Sequence, residues 1–86
     1  MADHIADYCR YLTEEKHAQT NTLNSYARDL NQFQSWLLSE GVADLKKVKK
    51  ENVGNYLQYM SSKGKSPATI TRSTASIRSF YNYLLQ

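Results

Sequence analysis

The sequence is poor in cysteine, proline and glycine, with one, one and three of them among 86 residues, and it contains no long apolar run. A single cysteine cannot form an internal disulfide, so we expect Cys9 to be a reduced core residue of an intracellular, cytoplasmic protein. No segment approaches the roughly 18 apolar residues that a membrane span needs, and the N-terminus lacks the basic and apolar regions of a secretion signal. The length predicts a single domain, 1–86, around one core.

Side chains that could bind a metal or catalyse a reaction are also few. His4, His17 and Cys9 are too few and too unevenly spaced for a metal site, and the adjacent Glu14 and Glu15 point in different directions on a helix. No glycine-rich nucleotide motif and no nucleophile elbow is present. We therefore expect no cofactor, no metal and no catalytic residue in this chain.

Charge is divided unevenly between the two halves of the chain. Residues 1–45 carry three basic and seven acidic side chains, whereas residues 46–86 carry eight basic side chains and one acidic side chain. A basic half of this kind favours a polyanionic partner, nucleic acid first. The alternative is a solvated basic face that has no partner.

Apolar residues recur at helical spacing along the chain, and no stretch alternates as a strand would. Asp3, Thr20 and Ser66 suit N-cap positions, and Gly41 and Gly64 suit the position that follows a helix. The pattern predicts an all-α fold, a compact four-helix bundle with short loops. The predicted helices span about 3–16, 20–40, 50–63 and 66–85.

The predicted second helix carries amide, hydroxyl and guanidinium side chains opposite its apolar face. They are Asn21, Ser25, Arg28 and Gln32, flanked by Thr22 and Asp29. In a major groove, Asn and Gln pair with adenine and Arg pairs with guanine, while a hydroxyl near a helix start can bond a phosphate. An ordinary solvated helix face would have the same composition, so this alternative stays open.

The predicted fourth helix carries a second polar stripe, away from its apolar face. It consists of Lys65, Thr69, Arg72 and Ser76. The N–H groups and the dipole of a helix N-terminus favour anions, and basic side chains neutralise phosphate. Two such stripes in one small basic domain favour a nucleic-acid surface over a plain solvated face.

Exposed aromatic residues support a different hypothesis, a helical protein–protein interaction module without DNA binding. Trp36 projects off the main apolar face of its helix, and with Tyr59 and Tyr83 it could form a contact surface. A contiguous exposed apolar patch around these residues would support that hypothesis. A stand-alone helix-turn-helix repressor is a third alternative, which the paired polar stripes disfavour.

Two segments also match a known family in order and spacing. They are Asn21-Thr22-Leu23-x-x-Tyr26-x-x-Asp29-Leu30-x-x-Phe33-x-x-Trp36-Leu37 and Ser66-Pro67-x-Thr69-Ile70-x-Arg72-x-x-x-x-Ile77-Arg78-x-Phe80-Tyr81-x-Tyr83-Leu84. These segments resemble the second and fourth helices of the N-terminal core-binding domain of tyrosine recombinases, the phage-integrase family. The resemblance covers about residues 5–86.

The resemblance implies a SAM-like four-helix domain that clamps one side of duplex DNA for DNA integration and recombination. Its implied partners are double-stranded DNA, the C-terminal catalytic domain of a longer parent protein and other recombinase subunits on DNA, with no membrane. The family's catalytic domain and its tyrosine nucleophile are absent from this chain, so we expect DNA binding here and strand breakage and rejoining only in the parent. With Lys65 from the fourth-helix stripe, the implied DNA-binding residues are Asn21, Thr22, Ser25, Arg28, Lys65, Thr69, Arg72, Ser73 and Ser76.

Overall fold

The computed structural model describes residues 3–85, and most of them lie in four α-helices. The helices are α1 (His4–Glu14), α2 (Thr20–Ser39), α3 (Lys50–Ser62) and α4 (Pro67–Leu84), with a short 3₁₀ turn at Leu45–Lys47 between α2 and α3. No strand occurs in this part of the chain. The predicted all-α four-helix fold is confirmed, and each helix boundary lies within a residue or two of its predicted position.

Side chains cap the N-terminal ends of α1 and α4, but not that of α2. The side chains of Asp3 and Ser66 each accept a hydrogen bond from the backbone N–H three residues along, at 3.0 and 3.2 Å, as their sequence positions predict. The prediction that Thr20 caps α2 is wrong, because Gln19 occupies the N-cap position and its side chain accepts no hydrogen bond there. The first turn of α2 therefore begins without a side-chain cap.

Two glycines end helices in the left-handed conformation. Gly41 follows α2 with φ of 85°, and Gly64 follows α3 with φ of 80°. An added Cβ would meet no atom within 4 Å at either position. The requirement for glycine is therefore conformational rather than steric, and it confirms both predicted helix ends.

The core lies between all four helices and the 3₁₀ turn. Its buried apolar side chains are Ile5, Tyr8, Leu12, Leu30, Phe33, Leu37, Leu45, Tyr56, Met60, Ile77 and Phe80. Aromatic rings connect the first and last helices. Tyr8 of α1 and Phe80 of α4 form an edge-to-face pair with a centroid distance of 5.5 Å. None of the described helices has the length and hydropathy that crossing a membrane requires.

A half-buried tyrosine connects the C-terminal half of α4 to the 3₁₀ turn. The hydroxyl of Tyr81 donates a hydrogen bond to the backbone carbonyl of Leu45 at 2.8 Å. Burial, and to a smaller extent the negative charge of Asp44, raise the pKa of this phenol far above its usual value. The folded protein therefore keeps the Tyr81 proton at a pH where the unfolded chain has lost it.

We expect Tyr81→Phe to reduce the loss of stability at alkaline pH. Because its pKa is raised by folding, Tyr81 contributes fully below about pH 10, the unfolded pKa, and that contribution falls as the pH rises further. Between about pH 9 and about pH 11, the unmodified protein should lose about 1 kcal/mol more of its free energy of unfolding than the variant. Urea denaturation at both pH values measures this difference, and equal losses would contradict the assignment.

Candidate nucleic-acid interface

Asp29 is a carboxylate buried where α2 packs against α4. The sequence pattern predicts it beside the outward polar stripe of α2, and that prediction is wrong, because only 2% of its side chain is exposed. One signal in the sequence does indicate the buried position. Asp29 falls within the apolar spacing formed by Tyr26, Leu30 and Phe33, which places it on the inward face of the helix.

Two residues of α4 satisfy this buried carboxylate. Arg72 donates from Nε to Oδ2 and from Nη2 to Oδ1 of Asp29, both at 3.0 Å. The Oγ of Ser76 lies 3.0 Å from the same Oδ2 and 3.0 Å from the backbone carbonyl of Arg72. The hydrogen bonds and the charge of Asp29 raise the pKa of the Arg72 guanidinium. This bidentate pair fixes the position of α4 against α2.

Ser73 and Ser76 do not belong to the candidate surface. The sequence-based prediction that they contact DNA requires them to be exposed, and both are fully buried. Helical spacing already places Ser73 near the core edge, in the apolar series of Ile70 and Ile77. It places Ser76 in the polar stripe, and Ser76 is buried because α2 packs over it and Asp29 accepts its hydrogen bond. Unlike the hydroxyl of Ser76, that of Ser73 has no hydrogen-bond partner within residues 3–85. Because they are buried, neither serine is accessible to DNA.

The other predicted residues of the two stripes remain accessible to different degrees. Asn21, Thr22, Arg28 and Lys65 are exposed, whereas Ser25 and Thr69 are half-buried. Arg72 keeps 45% of its side chain exposed although it is paired with Asp29. Two of the five guanidinium donors are used in that pair, so donors remain for an anion outside.

A groove between α2 and α3 is lined by basic residues from both stripes. It has a volume of about 810 Å³, and Arg28 from α2 and Lys65 from the loop before α4 both line it. Trp36, Tyr59 and Lys63 line the same groove, which we call the α2/α3 groove. Basic side chains that are far apart in sequence therefore share one concave surface, as the binding of a polyanion requires.

The aromatic residues of the interaction-module hypothesis do not form one patch. Tyr83 packs against Tyr11 of α1 at a ring-centroid distance of 4.8 Å, whereas Trp36 and Tyr59 lie together between α2 and α3 at 6.1 Å. The two groups belong to different helix pairs. The contiguous apolar surface that this hypothesis needs is therefore not built from these three residues.

Two other kinds of functional site remain to be considered, a metal-binding cluster and a reactive cysteine. Within residues 3–85, no three His, Cys, Asp or Glu side chains come together in a way that could hold a metal ion. Burial, and then the charge of Asp3, raise the pKa of the Cys9 thiol. A raised pKa favours the protonated thiol, which is a poor nucleophile.

We expect Arg72→Ala to destabilise the fold. The substitution leaves the buried carboxylate of Asp29 with one hydroxyl partner and should lower the free energy of unfolding by about 2–4 kcal/mol, less than for a fully buried pair because the guanidinium is half exposed. The exposed Arg78 of the same helix provides the matched control, and Arg78→Ala should change stability by less than about 0.5 kcal/mol. Urea denaturation that gives the two variants equal stability would show that the pair does not hold α2 and α4 together.

The two buried serines should respond differently to replacement by alanine. Ser76→Ala removes a donor to Asp29 and should cost about 1–2 kcal/mol, whereas Ser73→Ala removes an unpaired buried hydroxyl and should be neutral or stabilising by about 1 kcal/mol. Both substitutions gain the same helix propensity, so their difference isolates the hydrogen bond. Thermal unfolding followed by circular dichroism measures it, and the same loss in both variants would disagree with this assignment.

Comparison with known proteins identifies relatives over nearly the whole chain. The family model described as "Phage integrase, N-terminal SAM-like domain" matches residues 5–86. A protein of Caldanaerobacter subterraneus subsp. tengcongensis that is named as a tyrosine recombinase (TTE1313) is 38% identical over 93% of this chain. Tyrosine recombinase XerD of Listeria innocua serovar 6a is 34% identical over 99% of the chain, and XerD of Oceanobacillus iheyensis is 34% identical over 95%.

The chain spans 27 to 29% of the length of these three relatives. The family match is to the N-terminal, all-helical domain, in agreement with the four helices described above. No solved structure gives a significant match to the chain.

Proposed function

Because the chain belongs to the family of phage-integrase N-terminal SAM-like domains, we propose that it binds duplex DNA as the N-terminal domain of a site-specific tyrosine recombinase. Strand breakage and rejoining, and thus DNA integration or recombination, would be carried out by the rest of such a protein. A C-terminal catalytic domain and further recombinase subunits on the same DNA are the partners that this function implies.

The observation that carries the proposal is the meeting of Arg28 and Lys65 in one groove. These residues come from the two polar stripes, and the ion pair of Asp29 with Arg72 holds the helices of those stripes together. Phosphate contacts set the position of a protein on DNA and supply most of its non-specific affinity. We assign phosphate binding to Arg28 and Lys65.

The first turns of α2 and α4 are the remaining parts of the proposed surface. Asn21 and Ser25 would meet base edges in the major groove, and Thr22 would bond a phosphate beside the N-terminus of α2. On α4, Thr69 is half-buried and its hydroxyl accepts a hydrogen bond from Ser66 at 3.0 Å, so its contribution would be smaller.

Arg72 has two roles in this proposal, one in stability and one in binding. Its pair with Asp29 stabilises the fold, and its outward donors can meet a phosphate. A substitution at Arg72 would therefore change stability and binding together. The test of DNA binding should use basic residues that make no ion pair in the described structure.

We expect Arg28→Ala combined with Lys65→Ala to weaken duplex binding and its dependence on salt. The domain alone should bind duplex DNA with a dissociation constant on the order of 10⁻⁴ to 10⁻⁶ M, the range of non-specific contacts. Loss of two phosphate contacts should reduce the slope of log affinity against log salt concentration by about two. Fluorescence anisotropy of a labelled duplex at several salt concentrations measures both quantities.

Lys46→Ala combined with Lys47→Ala is the matched control for this experiment. It removes the same charge from the 3₁₀ turn, outside the α2/α3 groove. The proposal predicts a clearly smaller loss for this control. If both double variants lose equal affinity, binding follows net charge and the assigned face is wrong; if the unmodified chain binds no duplex at low salt, the proposed function is rejected.

A further inference from the structure

The α2/α3 groove contains an aromatic platform that is not part of the proposed duplex surface. Tyr59 is 42% exposed, and its ring lies 6.1 Å from the ring of the half-buried Trp36. The buried ring of Tyr56 supports both, at centroid distances of 5.4 Å from Trp36 and 6.3 Å from Tyr59. Because neighbouring rings already fix the orientation of the exposed Tyr59 ring, it can stack a flat ligand with little loss of side-chain freedom.

The charged side chains that line the groove around this platform are all basic. The ammonium of Lys63 lies 5.6 Å from the centre of the Tyr59 ring, and Arg28 and Lys65 line the same groove. No acidic side chain is among the residues that line it in the described part of the chain. A basic groove with an exposed aromatic ring is the combination that binds single-stranded nucleic acid, since the cations follow the phosphates and the rings stack the bases.

We propose that the α2/α3 groove binds an unpaired stretch of DNA, with one base stacked on Tyr59 and the neighbouring phosphates held by Lys63, Arg28 and Lys65. The proposal shares only Arg28 and Lys65 with the proposed duplex surface. A duplex presents the same phosphates but keeps its bases stacked inside, so the role of Tyr59 separates the two kinds of binding. On binding, the Lys63 ammonium would move from the ring face to a phosphate.

The amide side chains of the groove favour a nucleotide over an acidic peptide. Asn31 and Gln32 line the α2 wall, and each carries both hydrogen-bond donors and an acceptor. The edges of bases carry donors and acceptors as well. The carboxylates of an acidic peptide present acceptors only, so its side chains would match the cations, and only its backbone N–H groups would be left to meet the amide acceptors.

The fluorescence of Trp36 reports directly on this groove, because it is the one tryptophan in the sequence. The experiment titrates the protein at low salt with an oligothymidylate of about 12 nucleotides and with an abasic strand of the same length. The proposal predicts that the oligothymidylate quenches Trp36 and binds roughly tenfold more tightly than the abasic strand, since stacking adds to the phosphate contacts. An oligoglutamate of equal charge is titrated as the peptide probe.

Variants of Tyr59 separate stacking from charge. Tyr59→Leu should weaken oligothymidylate binding roughly tenfold and leave abasic-strand binding unchanged, whereas Tyr59→Phe, which keeps the ring, should bind as the unmodified protein does. Lys63→Ala should weaken both strands, and Lys50→Ala, a matched change at the other end of α3, should weaken both clearly less. Circular dichroism melts establish that every variant is folded.

Several results would overturn the inference. Equal affinities for the oligothymidylate and the abasic strand, or an unaffected Tyr59→Leu variant, would each show that the groove does not stack a base. Tighter binding of the oligoglutamate would show that the groove takes an acidic peptide instead. If the unmodified protein binds no duplex but the oligothymidylate still quenches Trp36, the proposed function is rejected and this inference stands. Duplex binding without quenching by the single strand would reject this inference alone.

Discussion

The burial of Asp29 is the constraint on which the arrangement of the helices depends. A carboxylate that is taken out of water needs a cation and hydrogen bonds, and both come from α4, from Arg72 and Ser76. The net stability gained from such a pair is small, but the cost of leaving it incomplete is large. The main effect of the pair is therefore to destabilise alternative packings of α4 on α2, because any shift along the helix would leave the carboxylate without its partners.

This constraint divides the polar side chains of α4 between two tasks. Ser73 and Ser76 face inward and allow a close helix contact, Arg72 lies at the edge, and Lys65 and Thr69 remain nearer the solvent. Charge alone does not identify a binding face, because groups of basic residues lie near both ends of α3. One group surrounds the 3₁₀ turn and the other lines the α2/α3 groove. The amide and aromatic side chains beside the second group make it the better candidate for nucleic acid.

The sequence predicts the local features of this fold well and the burial of its polar residues poorly. Ser66 and Gly64 determine where α4 begins and α3 ends through their own backbone and cap geometry, whatever packs against them. The burial of Ser76 depends on which helix lies opposite, and helical spacing alone does not contain that information. The position of Asp29 inside an apolar series was the one signal in the sequence for its burial. Ser73 and Ser76 are the small residues of α4 at the buried contact with α2. The α2/α3 groove depends on how two helices pack, and no pattern in the sequence indicated it.

The most direct test of the account is to map duplex DNA binding on the isotope-labelled protein by NMR, one backbone amide at a time. If α2 and α4 present a common surface, a short duplex should shift the amides of residues 21–28 and 65–69 together, in one fast-exchange titration with one dissociation constant. Shifts confined to α1 or to residues 46–50 would contradict the account. So would shifts on α2 and α4 that follow different dissociation constants.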